Sequence, residues 1–154
     1  MTKPSESDDN AGRRQWLAVL ARASRAELEA CASGLRDLPA IDTVRPPEVG
    51  MVMLRGRVGG TGDAFNLGEA SLTRCALRLA GGALGVGYTL GRDRRKAELI
   101  ALLDALLQEP ARTAALLREI VEPLRRGQDA RRDAASRAAA SSRVDFFTLV
   151  RGEA

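Results

Sequence analysis

The sequence has no histidine and only two cysteines, Cys31 and Cys75, and these shortages exclude whole classes of site. A Ser-His-Asp triad or a Cys-His dyad cannot be assembled from this chain alone. A zinc site that uses histidine is impossible, and two thiolates are too few for a site of four cysteines. A general base working near neutral pH would have to be a shifted carboxylate, a cysteine or Lys96. We therefore expect no metal site, no cofactor held by this chain and no catalytic residue.

Lysine and aromatic residues are also scarce. Only two of the 24 basic residues are lysines, so the net charge of +4 is carried by arginine. The arginine fork suits phosphates and carboxylates. Aromatic residues make up 3% of the chain and are scattered, and no zinc-finger, RNA-recognition or basic-zipper pattern is present. We expect no nucleic-acid partner, although a small arginine-rich RNA-binding module stays as an alternative.

Long hydrophobic runs are missing as well. No window approaches the length of a membrane span, and the polar N-terminus lacks the basic-then-apolar pattern of a signal peptide. Two cysteines do not make a disulfide framework. These features predict a cytoplasmic protein with reduced thiols and no membrane partner. The length of 154 residues fits one domain, which we place at 13–152 after a disordered tail over 1–12.

Helical patterns occupy both ends of the chain. Residues 12–34 predict two helices, with a capping box at Ser24 and Glu27 restarting the second. Residues 92–108 carry leucines on two stripes, which implies burial from more than one side, with a partner chain as a plausible second side. A further helix should start near Pro110 and kink or stop near Pro123. Residues 128–142 read as a surface helix.

The middle of the chain holds eleven of the fifteen glycines and reads as strands. We predict strands over 49–58, 70–80 and 83–91 after a connector over 36–47, with a last strand over 143–151. A two-residue turn at Gly81-Gly82 would set Cys75 opposite Tyr88 and leave a face almost without side chains around Gly85 and Gly87. That face receives either another molecule or a helix of the same chain. The predicted fold is α+β, a small antiparallel sheet of three to four strands packed against several helices.

Two segments are candidate contact sites. The glycine-rich loop is flanked by arginines and its backbone N–H groups could cradle an anion, but it lacks the ending of a phosphate loop, so a shaped turn or a partner-ordered segment are alternatives. The second segment opens the long helix, where cations follow a capping aspartate. The residues that we single out for partner or anion contact are Arg55, Arg57, Gly59, Gly60, Thr61, Gly62, Arg74, Arg92 and Asp93.

Four stretches in order resemble the PhnG family of subunits of the bacterial carbon–phosphorus lyase machinery. They are Arg14-Gln15-Trp16-Leu17-Ala18-Val19-Leu20-Ala21; Arg57-Val58-Gly59-Gly60-Thr61-Gly62 running to Leu72-Thr73-Arg74; Gly91-Arg92-Asp93 with Ala97-Glu98 and Asp104-Ala105-Leu106; and Ser142-Arg143-Val144-Asp145-Phe146-Phe147-Thr148 through Val150-Arg151-Gly152. Each stretch is weak alone, but the four together are specific and span nearly the whole chain.

The resemblance implies a function that composition does not reach. Such proteins assemble with PhnH, PhnI and PhnJ. With PhnI, PhnH and PhnL they support the transfer of a phosphonate onto ribose C1 of ATP, which releases adenine and gives alpha-D-ribose 1-phosphonate 5-triphosphate. ATP and phosphonate are substrates of the complex, and catalysis is attributed to PhnI. Family members often carry histidine where this chain has Lys96, which puts any proton chemistry there in doubt.

One rival from another class is a stand-alone small enzyme. It would use a carboxylate, Asp93 or Glu98, as its base. The spacing of the acidic residues does not select a working pair. Cys75 lies on an apolar strand face, which favours an inert buried thiol over a nucleophile.

Overall fold

The computed structural model describes residues 6–141 of the chain and has an α+β fold, as predicted. The elements in order are α1 (Glu6–Arg22), α2 (Arg25–Ser33), β1 (Ile41–Arg57), β2 (Ala64–Leu79), β3 (Leu84–Leu90), α3 (Arg94–Leu107), α4 (Pro110–Leu116) and α5 (Glu122–Ser141). The three strands form one antiparallel sheet in the order β1-β2-β3. The strand predicted over 143–151 lies outside the described residues.

The first strand is longer than the sequence pattern predicts. β1 already begins at Ile41, so the predicted connector over 36–47 is wrong from that residue onward. Pro46 and Pro47 lie inside the strand, where its register with β2 shifts. A proline cannot donate to a ladder, but β1 is an edge strand and tolerates it. The two prolines exclude helix, as predicted, without excluding strand.

The second strand also starts early. β2 begins at Ala64, so most of the segment predicted as a glycine-rich loop over 59–69 is strand. The true loop is residues 58–63. It contains a 3-10 turn, Val58–Gly60, and joins β1 to β2 as a hairpin.

The predicted register of β2 and β3 is wrong by one residue. Cys75 lies opposite Gly87, not opposite Tyr88. The Leu79 backbone N–H donates to the Ala83 carbonyl at 3.3 Å, so the turn between them has three residues rather than two. A slip of one residue exchanges the two faces of a strand. Gly85 and Gly87 therefore share the face of Cys75 and Leu77, and Tyr88 lies on the other.

Helix α3 packs on this glycine face. A Cβ atom at Gly85 would overlap the carbonyl oxygen of Ala101, and one at Gly87 would overlap that of Ala97. Only glycine allows the helix backbone to approach the strand so closely. Of the two explanations that the sequence leaves open, a helix of the same chain is therefore the correct one.

The other side of α3 is covered by α1, α2, α4 and the turn that follows α4. The main core joins buried leucines of these helices, among them Leu20, Leu28, Leu103 and Leu106, all 0% exposed. Burial of α3 from more than one side is confirmed. The chain itself supplies both sides, so the expected partner chain is not needed there.

The helix ends follow the predicted chemistry. Ser24 and Glu27 form the capping box, with the Ser24 N–H donating to Glu27 Oε2 at 2.7 Å and the Glu27 N–H to Ser24 Oγ at 3.2 Å. Asp93 caps α3 by accepting the Lys96 N–H at 3.0 Å. At the N-terminus, residues 6–12 of the predicted disordered tail are helical in α1.

The helix continues through Pro123 instead of stopping there. Residues Leu117–Val121 form a π-helical turn between α4 and α5. Proline removes one helical donor and crowds the carbonyl four residues earlier. A wider turn just before Pro123 makes room for the ring. None of the described helices is long and apolar enough to cross a membrane.

Candidate functional site

The residues singled out in the sequence do not converge on one pocket. Six of them lie in or beside the β1–β2 turn, whereas Arg92 and Asp93 lie where β3 leads into α3. The Gly91 N–H donates to the Ser71 carbonyl at 2.8 Å, which fixes this second place along β2. Ser71 is seven residues from Ala64, the partner of Arg57. Because a β-strand rises about 3.3 Å per residue, the β1–β2 turn and the start of α3 are roughly 23 Å apart.

The glycines of the turn are required by its geometry. Gly59 and Gly60 have φ angles of 58° and 82°, in the left-handed region. A Cβ atom at Gly62 would lie 2.7 Å from the Val58 carbonyl oxygen. That same oxygen accepts the Gly62 N–H at 2.8 Å, and Arg57 Nη1 donates to the Gly62 carbonyl at 3.1 Å. The geometry favours a shaped turn over a phosphate cradle.

Two arginines flank the turn, which also holds one acidic residue, Asp63. Arg55 and Arg57 line an open depression of about 500 Å³ together with Gly56, Gly60 and Ala64. None of these lining residues is acidic. The depression therefore suits an acidic group supplied by another molecule.

Arg74 is already engaged within the sheet. Glu48 Oε1 accepts Arg74 Nε at 2.6 Å and Arg45 Nη1 at 2.5 Å. The hydrogen bonds from Arg45 and then Arg74 lower the pKa of Glu48. Arg74 therefore stabilises the β1–β2 pair, and its guanidinium is less open to a ligand than those at the turn.

The side of the sheet away from α3, here called the outer face, is apolar along β3. It consists of Leu84, Val86, Tyr88 and Leu90 on β3 and of their partners on β2, which are Leu72, Ala76 and the two arginines Arg74 and Arg78. Tyr88 is 49% exposed and Leu90 is 64% exposed. The misplaced register hid this face from the sequence analysis, because it put Tyr88 beside the buried Cys75.

The distal hairpin, residues 51–71, extends past the end of β3, where Leu90 pairs with Leu72. Apolar side chains on it are open to solvent, with Met51 60% and Leu67 65% exposed. Contiguous exposed apolar surface of this kind marks interaction sites in proteins. The outer face and the distal hairpin together form our candidate protein interface.

A buried carboxylate that the sequence did not reveal, Asp104 of α3, joins α1 and β3. Asp104 is 0% exposed and accepts Arg13 Nη2 at 2.7 Å and Trp16 Nε1 at 2.9 Å. It also accepts the Val86 N–H at 2.8 Å, so one side chain of α3 ties α1 to β3. Its signal in the sequence was an acidic residue inside the leucine stripes of α3. Trp16 is partly buried and packs against the main core.

The carboxylates of the rival enzyme hypothesis are occupied. Asp93 caps its own helix, and Glu98 Oε2 accepts Arg95 Nη1 at 3.1 Å. Burial, followed by the charge of Glu98, raises the pKa of the Cys75 thiol, which keeps it protonated and unreactive. Within residues 6–141, no three His, Cys, Asp or Glu side chains are grouped to hold a metal ion.

Lys96, in the place where the resemblance implies histidine, has a structural contact. Its Nζ donates to the Ala21 carbonyl at 2.8 Å, in the last turn of α1. Burial lowers the pKa of Lys96, against the opposing effect of Asp93. A cation at a helix C-terminus is favourable, so Lys96 fastens α1 onto α3.

Comparison with known proteins agrees with the resemblance. Residues 11–152 match the model of the family described as "Phosphonate metabolism protein PhnG". The chain is 44% identical, over 160 aligned positions that cover 99% of both proteins, to the "Alpha-D-ribose 1-methylphosphonate 5-triphosphate synthase subunit PhnG" of Rhizobium meliloti (strain 1021). The chain belongs to the PhnG family of phosphonate metabolism proteins.

Proposed function

We propose that this chain is a non-catalytic subunit of the complex that makes alpha-D-ribose 1-phosphonate 5-triphosphate. In the reaction a phosphonate oxygen bonds to ribose C1 of ATP while the bond from C1 to adenine breaks, and adenine leaves with a proton. The name of the Rhizobium meliloti relative supports this assignment. The partners are PhnI, PhnH, PhnJ and, in the transfer reaction, PhnL. ATP places the reaction in the cytoplasm.

The exposed outer face carries the proposal. A chain that leaves Tyr88 49% and Leu90 64% exposed, beside the arginines of β2, is built to be covered by another protein. The same chain buries the Cys75 thiol and engages Asp93 and Glu98 in its own helix α3. We therefore assign this chain a structural role in the assembly. The chemical step belongs to a partner subunit.

Adenine release tests the proposal. PhnI, PhnH and PhnL are incubated with ATP and methylphosphonate, with or without this chain, and adenine is measured by chromatography. We expect adenine only when the chain is present, and none from the chain alone. Turnover by the isolated chain, or full turnover without it, would overturn the proposal.

Two conservative variants separate the subunit from the rival enzyme. Asp93→Asn keeps a helix cap, since asparagine caps as well as aspartate does, and Glu98→Gln keeps the shape of the side chain. We expect complexes made with either variant to release adenine at the wild-type rate. Loss of turnover with an intact complex would favour a carboxylate base in this chain.

A further inference from the structure

We propose that the distal half of β1, residues 49–57, takes up a β-strand from a partner subunit. This half of β1 is called the free edge below. The inference rests on the proposed function, because it assumes that the chain works inside a complex. It adds the mode of docking, which is strand addition, and the chemistry of the incoming strand.

The ladder shows which backbone groups of β1 point outward. In an antiparallel sheet, alternate residues turn their N–H and C=O to opposite neighbours. Ser71 accepts from Gly91 on the β3 side, whereas Ala80 donates to the Ala40 carbonyl on the β1 side. The odd residues of β2 therefore face β3 and the even residues face β1.

The same alternation carries across to β1. Leu72 pairs with Gly50 and Ala70 with Val52, so Gly50 and Val52 bond inward to β2. Near the turn, the Val58 N–H donates inward to the Asp63 carbonyl at 3.3 Å. The residues that turn their backbone groups outward along the free edge are Val49, Met51, Met53, Arg55 and Arg57.

The other routes for strand addition in the described part of the chain are partly obstructed. On β3 the outward Val86 N–H is taken by Asp104, and the Leu84 carbonyl accepts Arg13 Nη2 and Gln108 Nε2, each at 3.0 Å. In the first half of β1, Pro46 and Pro47 lack an N–H. Proteins protect edges by such devices. Residues 49–54 of the free edge have no proline and no charged side chain, and the register shift with β2 and the two arginines come only after them.

The side chains of the free edge specify the incoming strand. Val49, Met51 and Met53 are apolar and exposed, and Arg55 and Arg57 follow toward the turn. A complementary strand is apolar along most of its length and acidic at the end beside the two arginines. The same edge of a second copy does not fit, because residues 49–57 include no acidic side chain. We take a strand of a partner subunit as the occupant, and the test below separates it from a second copy and from the remaining residues of this chain.

Hydrogen exchange at single-residue resolution tests the inference on the full chain, free and bound to co-expressed PhnI. In the free chain we expect slow exchange at Gly50 and Val52 and fast exchange at Met51 and Met53. In the complex the odd-numbered amides should slow by at least about tenfold, which only a new backbone ladder explains. Burial of side chains alone would not produce this alternation.

A matched pair of variants adds a binding test. Met51→Pro removes an outward N–H and leaves the bonds to β2 in place, whereas Met51→Ala removes only the side chain. We expect the proline variant to bind PhnI at least about tenfold more weakly than the alanine variant, a difference of about 1.4 kcal/mol. Equal thermal unfolding midpoints of the two would show that the sheet is intact.

Each other outcome decides the matter. A chain that co-purifies with PhnI but keeps fast odd-numbered amides refutes strand addition and leaves the proposed function standing. A chain that does not co-purify with any partner refutes the proposed function. Slow odd-numbered amides in the free chain would assign the free edge to a second copy if the chain is dimeric in light scattering, or to its own remaining residues if it is monomeric. Either result would overturn the proposal that a partner subunit supplies the added strand.

Discussion

The indole of Trp16 and the carboxylate of Asp104 are joined by a hydrogen bond of 2.9 Å across 88 residues of sequence. The bond connects α1 to the last turn of α3, at a point where Asp104 also accepts Arg13 and the Val86 N–H. Since Val86 belongs to an edge strand, the same carboxylate fixes the helices on the sheet and occupies one outward N–H of that edge. The surfaces that stay available to a partner are the edge of β1 and the outer face of the sheet.

Asp104→Asn should destabilise the protein by about 3 kcal/mol. The amide cannot pair with the charge of Arg13, and its NH₂ group faces donors, so a half-buried cation loses its partner. Trp16→Phe should cost less, about 1 kcal/mol, because it removes one hydrogen bond. Urea unfolding followed by circular dichroism measures both values.

Asp133→Asn is the matched control, since Asp133 is an exposed aspartate within helix α5. It should change the free energy of unfolding by less than about 0.5 kcal/mol. If Asp104→Asn were as mild as this control, the buried network would not be what holds α1 and β3 on α3.

Gly87→Ala should destabilise the protein by about 3 kcal/mol or more. The new Cβ atom would overlap the Ala97 carbonyl oxygen, so α3 must move away from the sheet and loosen the core behind it. Gly50→Ala makes the same change in β1 at a position with no atom within 4 Å. Thermal unfolding of the two variants should separate them by at least several degrees. Equal midpoints would show that the close approach of α3 is not needed.

Local signals in the sequence predicted the fold class and the helices well. Ser24 with Glu27, and Asp93 with Lys96, act within a single turn of chain, so their chemistry is readable without tertiary contacts. The register of β2 and β3 was not readable in the same way. Gly81-Gly82 fits a two-residue turn, and nothing local shows that Ala80 joins it to make a turn of three.

The place of Ala80 in the turn between β2 and β3 sets the register of these strands, and the register decided how much of the site could be predicted. Gly59, Gly60 and Gly62 lie in a loop, as the sequence predicted, because local turn chemistry sets a hairpin tip. The rest of the predicted loop, from Ala64 onward, is strand. The outer face was missed since its position depends on the register, and Asp104 was missed since its donors come from α1 and β3, far away in sequence. Long-range packing, rather than local preference, fixed both.

Acid should weaken the capping box of α2. Hydrogen bonds from Ser24, and then the bond to Arg131, hold the pKa of Glu27 below its usual 4.5. A lowered carboxylate pKa adds stability above pH 4.5, and this contribution is lost as the pH falls through the folded-state pKa. Glu27→Gln should therefore be less stable than wild type near neutral pH, with the difference shrinking below about pH 4.

Glu29→Gln controls for the loss of a charge on the same helix, where Glu29 pairs only with the exposed Arg25. Urea unfolding at a series of pH values compares the two variants with wild type. We expect Glu29→Gln to cost less stability near neutral pH than Glu27→Gln, because it leaves the capping box intact. A gap between wild type and Glu27→Gln that stays constant as the pH falls would show that its bonds to Ser24 do not favour the charged carboxylate.

Leu90→Glu should disrupt assembly without unfolding the chain. Leu90 is 64% exposed in the free protein, so the added charge stays in water and the free energy of unfolding should change by less than about 0.5 kcal/mol. In the complex the same charge would be buried against a partner, which should weaken binding to PhnI by at least about tenfold. Binding is measured by interferometry on purified proteins.

Leu38→Glu introduces the same charge at another exposed leucine, 42% exposed in the segment before β1 and away from the outer face. It should bind PhnI like wild type, which separates a local contact from a general effect of charge. Wild-type binding by Leu90→Glu would remove the outer face from the interface. Because Leu90 lies on β3 and the free edge lies on β1, that result would leave strand addition at the free edge untouched, and only failure of both tests would leave the assembly without a contact surface on this sheet.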